Sequence, residues 1–375
     1  MVSEKKEKIR LDFLDGIRGW AAAIVVFGHT MGGVIAINAP NFANHQWLSF
    51  FTNAHLSVLV FFVLSGYVLS ISQIFSSKPN LAISTLARYF RLAIPIFTIS
   101  IIAYILMKLD LFYNVSAAST DISKSWLGRF FTFEPDFFNV IKYSFYSVFF
   151  SYDDHTTYNS SLWTMPIEMM GSLFIYAYLA IFRREKFIPL VSIALLVYFF
   201  FNNSFLLCFM AGYVLAELKK KKDYKVTGFK DAVMFLSFLS IVYLDTYYRP
   251  GTESHQALEA ILIVCIISYS SILSKAFSSN ISKFMGRISF SLYLVQIVVI
   301  CSLSSYLKIF LEDANVNIYT SAFINLIITL AACILFARIL APVDEWSVQI
   351  SKKIAMCILD TISKDSEKIL VKKPL

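Results

Sequence analysis

Ten apolar runs, each close to the length of a membrane-crossing helix, succeed one another along this chain and leave little sequence between them. Read with a window of about 19 residues, they fall at 17–37, 55–75, 91–107, 162–182, 187–202, 203–218, 230–247, 257–274, 288–307 and 319–340. A helix of about 20 apolar residues spans the hydrocarbon of a bilayer. The expected fold is therefore all-α, a polytopic integral membrane bundle of about ten transmembrane helices. Composition agrees: 57% of the 375 residues are hydrophobic and 15% charged, where a soluble domain carries about 25% charged residues. A soluble globular protein is excluded. With 36 Phe and 20 Tyr against 12 Gly and 9 Pro, a disordered or collagen-like chain is excluded too.

The net charge of +8 would suggest nucleic acid in a soluble protein, but its placement carries a different meaning. Of the 33 Lys and Arg, 25 fall in the two tails and alternate connections, and six in the opposite connections. The positive-inside rule then puts both termini in the cytoplasm, and no nucleic-acid partner is expected. The run Lys219 to Lys222 reads as a stop-transfer anchor, with attraction of lipid headgroups or cofactor phosphates as the other reading. The polar first sixteen residues, followed by no small-residue cleavage site, read as a retained anchor rather than a signal peptide. Cys208, Cys265, Cys301, Cys333 and Cys357 have no metal-ligand spacing and read as small hydrophobes.

No internal repeat or low-complexity linker divides the chain, so residues 1–345 are expected to form one membrane domain. Residues 346–375 place Ile350, Ile354, Ile358 and Ile362 at i, i+4 spacing among lysines, the pattern of an amphipathic cytoplasmic tail lying on the inner membrane surface. Residues 108–161, on the outer side, are rich in Phe and Tyr. They form either a segment capping a cavity or an interfacial aromatic belt, and the belt is the expectation.

Ionisable side chains are costly in lipid unless they face a cavity or a partner, so the few present are candidates for function. In the first span, Arg18 and His29 are eleven residues apart. At about 100° per residue this puts them on one face, separated by about 16 Å of rise. Asp15, one turn before Arg18, can pair with it. A neutral imidazole at mid-bilayer can take a proton from a hydroxyl, while a packing histidine is the structural alternative. Glu168 opens the fourth span within SLWTMPIE and needs a partner: His29, an acceptor hydroxyl or another span. Ser65 and Gly66 in FFVLSGY permit close helix approach. Arg88 and Arg91, at i, i+3 on the cytoplasmic side, suit a phosphate-bearing ligand or serve as topology anchors. Asp153, Asp154 and His155 lack further spaced ligands and are read as a solvated loop, so no metal is expected.

Taken together and in this order, LDGIRGWAAAIVVFGH with Arg-x10-His, FFVLSGYVLS, RYFRLAIP, SLWTMPIE and ISFSLYLVQ resemble the acyltransferase 3 family over roughly residues 11–345. These are integral membrane enzymes that move acyl groups, usually acetyl from acetyl-CoA, onto extracytoplasmic carbohydrates such as cell-surface polysaccharides. The resemblance implies a general-base role for His29 and a supporting role for Arg18 with Asp15. It implies contact of Arg88 and Arg91 with the phosphates of acetyl-CoA, Ser65 in the same donor site, and Glu168 acting on the acceptor. It further implies a multi-pass location in a bacterial inner membrane, with the bilayer, acyl-CoA and a carbohydrate acceptor as partners. The sequence departs from the family at Gln296, where many members have His. There is no room for the carboxy-terminal hydrolase-like domain of some members, so the membrane part is expected to complete the transfer. The rival expectation is a transporter or flippase of a glycan or small solute, since ten spans holding Arg, His and Glu also describe a proton-coupled carrier.

Overall fold

The computed structural model describes residues 11–76, 80–182, 187–221, 225–248 and 251–371. The basic amino terminus, the connection 183–186 and the end of the lysine run at Lys222 lie outside the described residues. Each apolar run is helical: α1 (Asp12–Thr30), α2 (Ala54–Ile74), α3 (Leu81–Lys108), α4 (Met165–Phe182), α5 (Ile188–Asn202), α6 (Ser204–Lys221), α7 (Phe229–Tyr248), α8 (Glu253–Tyr269), α9 (Asn280–Val299) and α10 (Ile318–Val371). Six are long and apolar enough to cross a membrane: α1 extended to Asn38, α2, α3, α4 with the turn before it, α9 extended to Asp313, and α10. The other four are shorter or more polar. The chain is thus a multi-pass, all-helical membrane protein, with no sheet among the described residues.

Helix starts follow local chemistry. Asn53, Asn80, Thr252 and Ser279 each accept a backbone N–H from the first turn of α2, α3, α8 and α9, satisfying donors that have no intrahelical partner. The Asn80 cap starts α3 ten residues before the apolar run at 91–107, so Arg88 and Arg91 lie two to three turns inside the helix. Hydropathy alone penalised both guanidinium groups, but neither faces lipid. The last helix runs unbroken from the tenth apolar run through Val371, and Ser347, Ser351 and Ala355 along it are buried.

Two close helix crossings set the bundle. Gly66 of α2 lies so near α6 that a methyl group there would meet the Phe209 carbonyl at 2.1 Å, and one on Gly212 would meet the Val63 carbonyl at 2.2 Å. This is the close approach that the small residues of the second run foretold. At the second crossing, α1 and α9 meet through Gly19 and Gly286, and a methyl group on Gly286 would lie 2.3 Å from the Asp15 carbonyl oxygen. Gly286→Val is therefore expected to push the two helices apart and cost about 1–3 kcal/mol, read as a lowered unfolding midpoint of the purified protein. An unchanged midpoint would show that the contact is not tight.

Two apolar cores result. One joins α2, α6 and α8 with the start of α1 and the end of α4; the other joins α3, α9 and α10 with the middle of α1. Residues 108–161 pack partly onto the second and partly, through Leu127 and Phe130, into a smaller cluster with Val34, Ile297 and Ile300. Leu127, Phe130, Val140, Tyr143, Phe149 and Tyr158 are buried, and Asn114 Nδ2 donates to the Leu127 and Phe130 carbonyls, both at 2.8 Å. Asn159 Nδ2 ties the segment to α9 through the Leu294 carbonyl at 2.7 Å. The belt expectation is corrected: the segment is a folded cap, and only part of its aromatic set, including Phe138 and Phe150, faces outward.

Candidate active site

Between the two cores, α1, α2, α3, α4, α9 and α10 surround a cavity of ≈ 130 Å³. Asp15, Arg18, Ser65, Arg88, Arg91 and Glu168 all line it; His29 does not. Residues chosen separately from four sequence blocks therefore fall into one cavity wall, with His29 outside it.

On α1, Arg18 Nη2 donates to Asp15 Oδ1 at 2.9 Å, and its Nε donates to Ser289 Oγ on α9 at 3.0 Å. The i, i+3 spacing brings the first pair together, and the glycine crossing brings the second within reach. Across the cavity, Arg88 of α3 pairs with Glu168 of α4 through Nη2 and Oε1, and Ser65 Oγ of α2 donates to the same oxygen. Arg88 Nε also donates to Ser172 Oγ at 3.1 Å. Glu168 thus meets an arginine of another span, the third of the partners its position allowed, and fastens α2 and α3 to α4. Arg91 lines the same cavity, and its guanidinium has no hydrogen bond or ion pair among the described residues.

His29 lies outside the lining of this cavity. Its Nδ1 is 3.1 Å from Gln296 Oε1 on α9. The orientation of the amide follows from its other contacts: Nε2 lies 3.2 Å from the Tyr293 carbonyl, which can only accept, and 3.3 Å from Ser161 Oγ. Oε1 therefore faces the imidazole, Nδ1 must carry the proton, and Nε2 is left as the basic nitrogen. Tyr293 lines the cavity one helical turn before Gln296; its hydroxyl is 2.8 Å from Thr164 Oγ1 and donates to the Ser161 carbonyl. Tyr293 and Gln296, one turn apart on α9, thus link the cavity wall to His29. Immediately past His29 and Gln296, both helices widen into π turns, Met31–Ile35 and Ile300–Ser304, a distortion frequent at functional sites.

Trp126 of the cap covers the imidazole, with ring centroids 5.5 Å apart. Gly33 leaves room for it, since a methyl group there would lie 2.1 Å from the indole. Sequence reasoning missed Trp126, Tyr293 and the part played by Gln296. Only Gln296 carried a signal, as the departure from the family pattern. Asp344 was also missed, because it lies just past the last apolar run, but it lines the cavity.

The outer Asp153, Asp154 and His155 use one another and their neighbours. Asp153 accepts the His155 N–H at 3.1 Å and the Thr156 hydroxyl at 2.8 Å, which together hold its carboxyl below the usual range. Asp154 pairs with Arg129 at 3.0 Å. No group of three or more His, Cys, Asp or Glu suited to a metal ion occurs among the described residues.

Among characterised proteins the chain is similar to the O-acetyltransferase PaAT-1 of Phomopsis amygdali, 22% identical over 367 residues that cover 78% of this chain and 72% of that protein. No solved structure matches it. The family model described as an acyltransferase domain matches residues 11–339, a stretch that runs from the start of α1 into the first half of α10 and takes in every residue of the site described above except Asp344. The chain belongs to the acyltransferase 3 family.

Proposed function

We propose that this acyltransferase moves an acyl group, acetyl in the simplest case, from acyl-CoA in the cytosol to a hydroxyl of an extracytoplasmic glycan, across the cytoplasmic membrane of a bacterium. The observation that carries the reading is the pairing of His29 with Gln296, which leaves Nε2 as a base one helical turn beyond a cavity rich in arginine. In this reading all ten helices cross, both termini and the lysine-rich connections are cytosolic, and the stretch of the last helix past residue 345 is a tail on that side. The thioester arm enters the cavity from the cytosol, where Arg91 meets a donor phosphate. Arg88 and Ser65, bound to Glu168, shape the wall beside it. The acceptor approaches His29 from the side covered by Trp126.

The step is a direct transfer. His29 Nε2 takes the proton of the acceptor hydroxyl as its oxygen attacks the thioester carbonyl. The tetrahedral intermediate collapses, the carbon–sulfur bond breaks, and the imidazolium returns the proton to the departing thiolate. Arg18, held by Asp15 and Ser289 three turns of α1 before His29, acts on the donor side, where it adds positive potential for the donor's negative charge.

Labelled acetyl-CoA supplied to membranes containing the chain should place label on extracted glycans as O-acetyl groups. Transfer to water or to protein alone would overturn the glycan acceptor, and transfer only from a donor lacking CoA would overturn the cofactor. Gln296→Leu removes the acceptor that fixes the tautomer. It is expected to lower the transfer rate at least about tenfold, with the Michaelis constant for acetyl-CoA unchanged. Gln296→Glu, which still accepts from Nδ1–H, should retain most of the rate. Equal rates for both variants would show that the tautomer does not depend on this side chain.

A further inference from the structure

Asp344 has no part in the chemistry above, yet it stands in the cavity wall. It lies two residues after Pro342 in α10, and its Oδ1 is buried with no hydrogen-bond partner. Native proteins seldom leave a buried carboxylate oxygen unmet unless something else binds there. The nearest hydroxyl does not answer it: Ser347 Oγ donates to the Asp344 and Arg91 backbone carbonyls, at 2.7 and 3.2 Å. The Arg91 guanidinium is within electrostatic reach of Asp344 and makes no hydrogen bond among the described residues. The rest of this wall is largely apolar, with Leu14, Phe61, Phe62, Met165 and Phe290. A lone cation and an unmet acceptor in such a wall fit a slender ligand that carries both an anionic group and an N–H donor.

Acyl-CoA has N–H donors in two places, the secondary amides of its pantetheine arm and the amino group of its adenine. A cavity of ≈ 130 Å³ suits the arm. We infer that Asp344 accepts a hydrogen bond from a pantetheine amide and thereby registers the thioester along the cavity. The inference rests on the acyl-CoA reading and makes Asp344 a positioning residue.

Its test is donor binding, which needs no acceptor, measured by calorimetry on the full-length chain in detergent with acetyl-CoA and with S-acetylpantetheine. Asp344→Ala should weaken both donors by about tenfold, the worth of one hydrogen bond to a charged acceptor. Asp344→Asn keeps a carbonyl oxygen at the same place and should bind both within about threefold of the unchanged chain. Equal losses in the Ala and Asn variants would make Asp344 a counter-ion of Arg91 and overturn the inference. A loss confined to acetyl-CoA would move the contact to adenine and also overturn it. Unweakened binding in both variants overturns it while leaving the acyl-CoA reading intact. Failure of the unchanged chain to bind either donor removes that reading and this inference together.

Discussion

His29→Ala is expected to lower acyl transfer by about 10²–10⁴-fold, the usual worth of a positioned general base, while the protein folds, inserts and binds donor as before. The separation follows from the geometry. His29 contributes one hydrogen bond to Gln296 and a ring contact to Trp126, and it lines no part of the donor cavity. Removing it leaves Gln296 Oε1 without its partner, which costs about 1–3 kcal/mol of stability at most. The measurement pairs initial transfer rates from labelled acetyl-CoA with the unfolding midpoint and the donor dissociation constant of the same sample. A variant that still transfers at a third of the native rate would strip His29 of its role. A variant that fails to bind donor would place His29 in the donor site instead.

The second large effect is on stability. Arg88 and Glu168 are only 10% and 11% exposed, and removing one partner of a buried pair leaves an uncompensated charge at a cost of about 3–5 kcal/mol. Glu168→Ala and Arg88→Ala are each expected to lose that much, seen as a large drop in unfolding midpoint or in yield of inserted protein. The double variant Arg88→Met with Glu168→Leu replaces both charges with apolar groups of similar size and should recover most of the loss. Recovery identifies the pair as a clamp joining α3 to α4, with Ser65 bringing in α2. If the double variant is as unstable as the two single losses added together, the residues act independently and the clamp is refuted. Activity lost in Glu168→Ala alone carries no information about chemistry until this has been measured.

The helical membrane architecture and the principal candidates were legible in the residues because lipid leaves a chain few options. A backbone without water must satisfy itself along a helix, and a helix converts an eleven-residue spacing into a shared face. Arg18 and His29 could therefore be placed together, and Asp15 beside Arg18, before any coordinates were known. Ionisable groups in apolar runs are rare enough that Glu168 also stood out. Family likeness added the acyl chemistry, and the family match carries that part of the reading.

What lay beyond the sequence was every relation between helices. A hydropathy window treats each side chain as though it faced lipid, so it shortened α3 at Arg88 and Arg91, which turn inward, and it ended the last apolar run before Asp344. Nor could it tell that four of the ten runs would fold as shorter or more polar helices. Contacts such as His29 with Gln296, 267 residues apart, or Arg88 with Glu168, 80 apart, exist only once glycine crossings fix which helices touch and at what height. The residue types, read against the physics of a bilayer, determined that this chain is a bundle of membrane helices with a basic histidine on the face of an arginine. Tertiary packing alone decided which nitrogen of that histidine faces Gln296, that Arg88 meets Glu168, and that an aromatic cap closes over the imidazole, because those outcomes depend on distances between segments that no local pattern encodes.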